Sequence, residues 1–247
     1  MKLEIIRKED QVDGQFNNGA ILEKRPVIYQ GEKTRPYSNL FYWAHAWSEK
    51  GSTIGLHPHQ GFEILSFVLR GSIEHYDTKN RNWIPLKEGS VQIIRAGNGI
   101  SHAEKLNPNS SIFQIWFDPD LSKTLRLPAS YNDYLPESFE ATQLSGETTT
   151  LFKGEGAPIE MMTEGVVIKQ MKLMPGKHVI PVTADKVISV FVIAGNLVVE
   201  GEKLADGDFF KVQEAEFLRL SSIDSGWIFI IESPVTPSYQ TYASMDL

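Results

Sequence analysis

Residues 63–75 read EILSFVLRGSIEH and residues 187–199 read VISVFVIAGNLVV. A slide of 124 residues lays one on the other and matches Phe67 with Phe191, Val68 with Val192 and Gly71 with Gly195. Each copy is a run of β-branched and aromatic residues, a glycine, and a second apolar run, the pattern of a strand, a tight turn and a returning strand. Further on, a slide of 118 pairs EGSVQIIRAG (88–97) with DGDFFKVQEA (206–215), as expected if the second copy has a hairpin loop six residues shorter.

The rest of the chain repeats this texture. FYWAHAW (41–47), SVQIIRAG (90–97), SIFQIWFD (111–118), VVIKQMKLM (166–174) and GWIFIIES (226–233) are further strand candidates, and no long segment has helical periodicity. Many short strands bounded by Gly, Pro, Asn and Asp predict an all-β protein of two barrels or sandwiches. Residues 121–147 are polar and proline-containing and are expected to link a domain over 1–120 to one over 148–247. The last stretch, TPSYQTYASMDL, is expected to dock back on the first barrel through Tyr239 and Tyr242.

Composition narrows the chemistry. There are no cysteines, so disulfides, thiolate nucleophiles and Cys-ligated metals are excluded, and a bound metal would need His, Asp or Glu. The formal charge of −7 comes without a Lys/Arg cluster, which argues against direct nucleic-acid binding. No segment reaches the ~18–20 uninterrupted apolar residues of a membrane helix. The opening MKLEIIRKED is too charged for a secretory signal, so a cytoplasmic protein is expected.

Of six histidines, three fall in two short motifs, HPH at 57–59 and HAE at 102–104. On a strand, residues i and i+2 share a face, so His57 with His59, and His102 with Glu104, can point into one barrel. Three imidazoles and a carboxylate converging from neighbouring strands would form a metal site with open positions. Under the two slides these four residues fall on Pro181, Thr183, Leu220 and Ser222. The second copy thus does without them, which argues against a purely structural role. His45 is read as packing among Trp43 and Trp47, His75 as lining the site or bonding Asp77, and His178 as exposed.

The order HPHQGFEILSFVLRGSIEHYDTKN, LKEGSVQIIRAGNGISHAE and QIWF resembles the pirin family of the cupin superfamily. The resemblance implies a bicupin: two cupin-type β-barrels (double-stranded β-helix or jelly-roll), with a metal in the N-terminal one only. It carries over His57, His59, His102 and Glu104 as ligands of one divalent metal ion, Fe(II) foremost, with Zn, Mn, Ni, Co or Cu as alternatives. Where many members have Arg after HPH, this chain has Gln60. The activity implied is that of a quercetin 2,3-dioxygenase, which opens a flavonol or similar enol substrate with dioxygen. Glu104 is then the expected catalytic base, and Phe41, Trp43, Phe62, Phe113 and Trp116 are the expected walls of the substrate site. The alternative implied by the same family is a regulator that binds other proteins, with the metal as a redox or structural element. A monomer or weak dimer is expected.

Overall fold

The computed structural model describes residues 1–183 and 185–245, which are dominated by antiparallel strands. They form two compact units. One comprises residues 12–138, 161–164 and the described residues from 237 onward; the other comprises Met1–Gln11, Phe139–Glu160 and Gly165–Thr236. No helix among the described residues is long and apolar enough to cross a membrane.

The first unit pairs a seven-stranded sheet with a four-stranded one. From edge to edge the larger runs Ser130–Tyr134, Val91–Arg95, Glu63–Arg70, Ser110–Phe117, Leu40–Ser48, Ile21–Val27 and Val12–Phe16. The smaller runs Ser52–His59, Ile100–Leu106, Ser72–Asp77 and Ile84–Lys87. The second unit repeats this order strand for strand. Its larger sheet is Lys2–Ile6, Phe209–Gln213, Lys186–Ala194, Gly226–Pro234, Val167–Leu173, Glu147–Lys153 and Ala141–Leu144. Its smaller sheet is Gly176–Pro181, Phe217–Ser222, Leu197–Val199 and Glu202–Leu204. The double-barrel cupin architecture implied by the family resemblance is present.

The matched glycines sit at equivalent turns. Gly71 has φ +74° and Gly195 φ +95°, the left-handed region that favours glycine, and a Cβ would come within 2.5 Å of Ser110 Oγ and of Ser225 O respectively. The equivalent edge strands have different origins. In the first unit the edge is Ser130–Tyr134, paired with Val91–Arg95; in the second it is Lys2–Ile6, paired with Phe209–Gln213. Residues 121–147, read above as a linker, hold the Leu121–Thr124 helix, capped by Asp120 through Ser122 N–H, and two sheet strands. The tail does return to the first unit: Tyr239 Oη donates to Asp118 O at 2.7 Å, and Tyr242 N–H donates to the Asp118 carboxylate.

Pairing registers correct the residue-to-residue match between the copies. Four residues past Gly71, His75 pairs with Glu104; four residues past Gly195, Val199 pairs with Leu220. Leu220 therefore occupies the place of Glu104. By the same register Leu218 occupies that of His102, and Ile180, paired with Leu218, that of His57. The slide gave Leu220 and Ser222 for the second motif because the turn preceding this strand is two residues shorter in the second copy. In the large sheet the row Gln92, Ser66, Gln114 of the first unit becomes Phe210, Val190, Ile230 in the second.

These exchanges decide where each core sits. In the second barrel Ile180, Val190, Phe210, Leu218, Leu220 and Ile230 belong to one continuous apolar cluster. The first barrel has an apolar cluster around Ile54, Val68, Ile73 and Ile112 and another around Ile64, Ile94 and Ile100, with the polar residues between them. His178 is not exposed as expected. The Gly176–Pro181 strand alternates so that His178 and Ile180 are both buried, and the His178 ring is fixed by Glu147 Oε1 at 2.7 Å and Met174 O at 2.9 Å.

Candidate metal centre

Directly opposed residues on paired strands present their side chains to the same face. His102 is opposed by His57 on one side and Asp77 on the other; Glu104 is opposed by Ile54 and His75; Ile100 is opposed by His59. All these side chains lie on the inner face of the small sheet. Between the His102 and Glu104 rows, the Ser52–His59 strand spends one residue more than its partner, a β-bulge at Gly55–Leu56. The bulge turns Gly55 O toward His57, whose Nδ1–H donates to it at 2.8 Å, leaving Nε2 with its lone pair.

The three imidazoles come together. Ring centroids are 4.4 Å apart for His57 and His102, 4.7 Å for His57 and His59, and 4.8 Å for His59 and His102. One ring nitrogen from each lies within 4.8 Å of the others. His102 is fully buried, and neither of its ring nitrogens has a hydrogen-bond partner; His59 Nε2 has none either. Leaving such groups unmatched costs about 1–3 kcal/mol apiece. Burial pushes His59 down to about 4, with the neighbouring His57 adding to it. His102 is lowered well below the usual imidazole range by burial and then by His59, His57 and His75. At neutral pH His59 and His102 therefore offer lone pairs, the form in which histidine binds a metal.

Glu104 shares the inner face but stands outside this group. It is fully buried, with Oε1 accepting from Ser66 Oγ at 2.5 Å and Oε2 accepting from Gln114 Nε2. Gln114 Oε1 in turn accepts from Trp116 Nε1 at 3.3 Å. His75 lies 5.6 Å from His102 ring to ring, with Nε2 3.3 Å from Asp77 Oδ2 and Nδ1 unpartnered, so both of its alternative roles are met in part.

The five expected wall residues divide by strand parity. Gln114 reaches Glu104, so the even-numbered residues of the Ser110–Phe117 strand face inward, Trp116 among them; its ring is 4.8 Å from His59. A second bulge opposite Phe117 frees Phe41 from the alternation, and Phe41 packs on Phe62 at 4.7 Å and on Trp116 at 6.5 Å. Tyr242 of the tail closes this aromatic group, 5.7 Å from Phe41 and 5.8 Å from Phe62. Trp43 and Phe113 pack against each other at 5.4 Å on the opposite face of the sheet, completely buried, and are not part of it. His45, expected among Trp43 and Trp47, packs tilted against Trp47 and edge-on to Phe113, ring centroids 5.5 Å apart in both cases. Sequence reading missed Ser66, Gln92 and Gln114. The available signal was one isolated polar residue inside each of three apolar strands.

The donor set fits a divalent transition metal. Imidazole suits Fe, Ni, Cu and Zn, and of the three convergent rings His59 and His102 hold buried nitrogens that no partner engages among the described residues.

Comparison with known proteins agrees with the geometry. A family model described as Pirin matches residues 27–117. The chain is 25% identical over 191 residues to a quercetin 2,3-dioxygenase of Escherichia coli K12, covering 75% of this chain and 78% of that one. Among solved structures it resembles a bacterial pirin from Escherichia coli in complex with nickel(II), with TM-score 0.78, 20% identity and coverage of 94% and 99% of the two chains. It also resembles a quercetin 2,3-dioxygenase from Acinetobacter baumannii, with TM-score 0.81, 19% identity and coverage of 98% and 89%.

Proposed function

We propose, for a chain that carries a pirin domain in a two-barrel cupin fold, that the first barrel is a metal-dependent dioxygenase of quercetin 2,3-dioxygenase type. The convergence of His57, His59 and His102, with buried nitrogens of His59 and His102 that nothing else engages, carries this reading. These three side chains would hold one divalent ion, with iron as the first choice and Glu104 able to join them by turning from Ser66 and Gln114. A bound iron supplies Lewis acidity toward an enol oxygen and redox reactivity toward dioxygen.

The chain's own residues supply orientation and proton control. Phe41, Phe62 and Trp116 form an apolar wall next to His59 that would take a flat aromatic ring and exclude water. Glu104 Oε1 is the acceptor for the proton of the substrate hydroxyl. Ser66 Oγ and Gln114 Nε2 hold the carboxylate in place until then, and its complete burial keeps it out of contact with bulk water. The reaction consumes a flavonol and dioxygen and releases carbon monoxide and the ring-opened ester.

Metal analysis of the untagged protein, paired with an aerobic quercetin-bleaching assay, tests the reading. Iron-loaded protein should bleach quercetin, His57→Ala should lose metal and activity together, and Glu104→Gln should keep metal but lose most of the rate. Loaded wild-type protein that consumes no oxygen with any flavonol would defeat it.

A further inference from the structure

Tyr42 is the inward-facing residue opposite Trp116. Its ring lies 4.8 Å from the Trp116 ring, which lies 4.8 Å from His59, so the phenol stands one aromatic ring away from the histidine cluster. Behind it is a polar pair on the neighbouring strand. Arg25 donates from Nε to Glu23 Oε2 at 2.8 Å and from Nη2 to the same oxygen at 2.5 Å, and it also hydrogen-bonds the Tyr42 hydroxyl. Glu23 is almost completely buried, and the Arg25 side chain mostly so.

A buried ion pair carries a desolvation cost that packing alone does not explain. The surrounding sequence also makes room for it. Gly14 lies across from Glu23, and a Cβ there would stand 2.1 Å from Arg25 Nη2. Gly14 is not among the positive-φ glycines, so space for the guanidinium, and not backbone conformation, accounts for it. A guanidinium can only donate. The Tyr42 oxygen is therefore its acceptor, and the phenolic hydrogen points elsewhere. Burial raises the phenol further above its ordinary range, so it keeps its hydrogen at neutral pH and acts as a donor.

We propose that Tyr42 donates a hydrogen bond to an oxygen of a flat, oxygen-bearing aromatic substrate lying along Trp116, with Arg25 and Glu23 as the pair that positions it. The proposal deepens the dioxygenase reading and rests on it. A hydroxyl polarised by a charged donor is a stronger donor than an isolated one, and it would select oxygenated rings over plain aromatics of the same size.

Isothermal titration of zinc(II)-loaded protein, which binds without turnover, tests this with two probes: quercetin and the oxygen-free 2-phenylnaphthalene. Tyr42→Phe retains the ring and removes one oxygen. It should weaken quercetin about three- to tenfold, the range of a single neutral hydrogen bond, and leave 2-phenylnaphthalene and zinc content unchanged. Gly14→Ala, which displaces Arg25 and leaves Tyr42 in place, should act in the same direction and stands in if Tyr42→Phe fails to fold. Unchanged quercetin affinity in these variants, or equal losses for both probes, would overturn the Tyr42 assignment and leave the dioxygenase reading standing. Wild-type protein that binds metal but no quercetin would overturn both.

Discussion

The Trp116 ring meets the His59 ring nearly edge-on, 4.8 Å between centroids and 81° between planes. If His59 holds the proposed metal, an indole this close to its ring reports on what the imidazole binds. Titration with nickel(II) or copper(II) should quench tryptophan fluorescence at one equivalent, and Trp116→Phe should remove most of that response despite the four other tryptophans. A quench that survives in Trp116→Phe would place the metal elsewhere.

The second barrel supplies a design for the first. Leu218 stands where His102 does, so His102→Leu replaces two unpartnered buried nitrogens by a side chain the same architecture already accepts. The metal-free variant should be more stable than metal-free wild type by about 1–3 kcal/mol in urea unfolding, and should no longer bind metal. A large loss of stability would mean that the two interiors are not interchangeable.

Acid should weaken the metal-free protein through its histidines. Unfolded, His59 takes a proton near 6.5; folded, burial and His57 delay this to about 4. Between those values the unfolded chain binds the proton that the folded one refuses, so stability falls as pH drops from about 6.5 to about 4. Melting temperatures across that window should show a shallower decline in His59→Ala.

Asp118 runs the other way. Burial raises its carboxyl to about 6 in spite of the backbone N–H groups of Tyr242 and Ala243. Its contribution is fully present below about 3.8 and is lost as pH rises through about 6. Asp118→Asn keeps an acceptor for Tyr242 and should raise the melting temperature at pH 8, with the gain vanishing below about pH 4. Equal gains at both ends would point to packing and not to charge.

Strand parity separates the aromatic residues by experiment. Phe113→Ala, on the outer face of its sheet, should cost about 3–5 kcal/mol and leave the metal content of the folded fraction unchanged. Phe62→Ala, half-buried at the site, should cost less stability and weaken flavonol binding, measured by titration.

The histidine motifs, the repeat and its glycines were legible because they are local: i and i+2 on a strand share a face whatever the register. What needed the structure was pairing. The bulge at Gly55–Leu56 aims His57, and the shorter turn before Phe217 moves the equivalents of His102 and Glu104 by two residues; neither is visible in one strand alone. Trp43 and Tyr42 are neighbours with opposite fates, and only the partner strand tells which of them faces the site. His178 looked exposed because it follows a loop sequence, yet its strand starts at Gly176 and turns it inward.

The Lys2–Ile6 strand forms five successive pairings with Phe209–Gln213, about two hundred residues downstream. During synthesis that ribbon emerges long before its partner and must remain unmatched while the intervening barrel takes shape. Its loop-closure delay falls on the second unit, so the unit that carries His57, His59 and His102 can mature first.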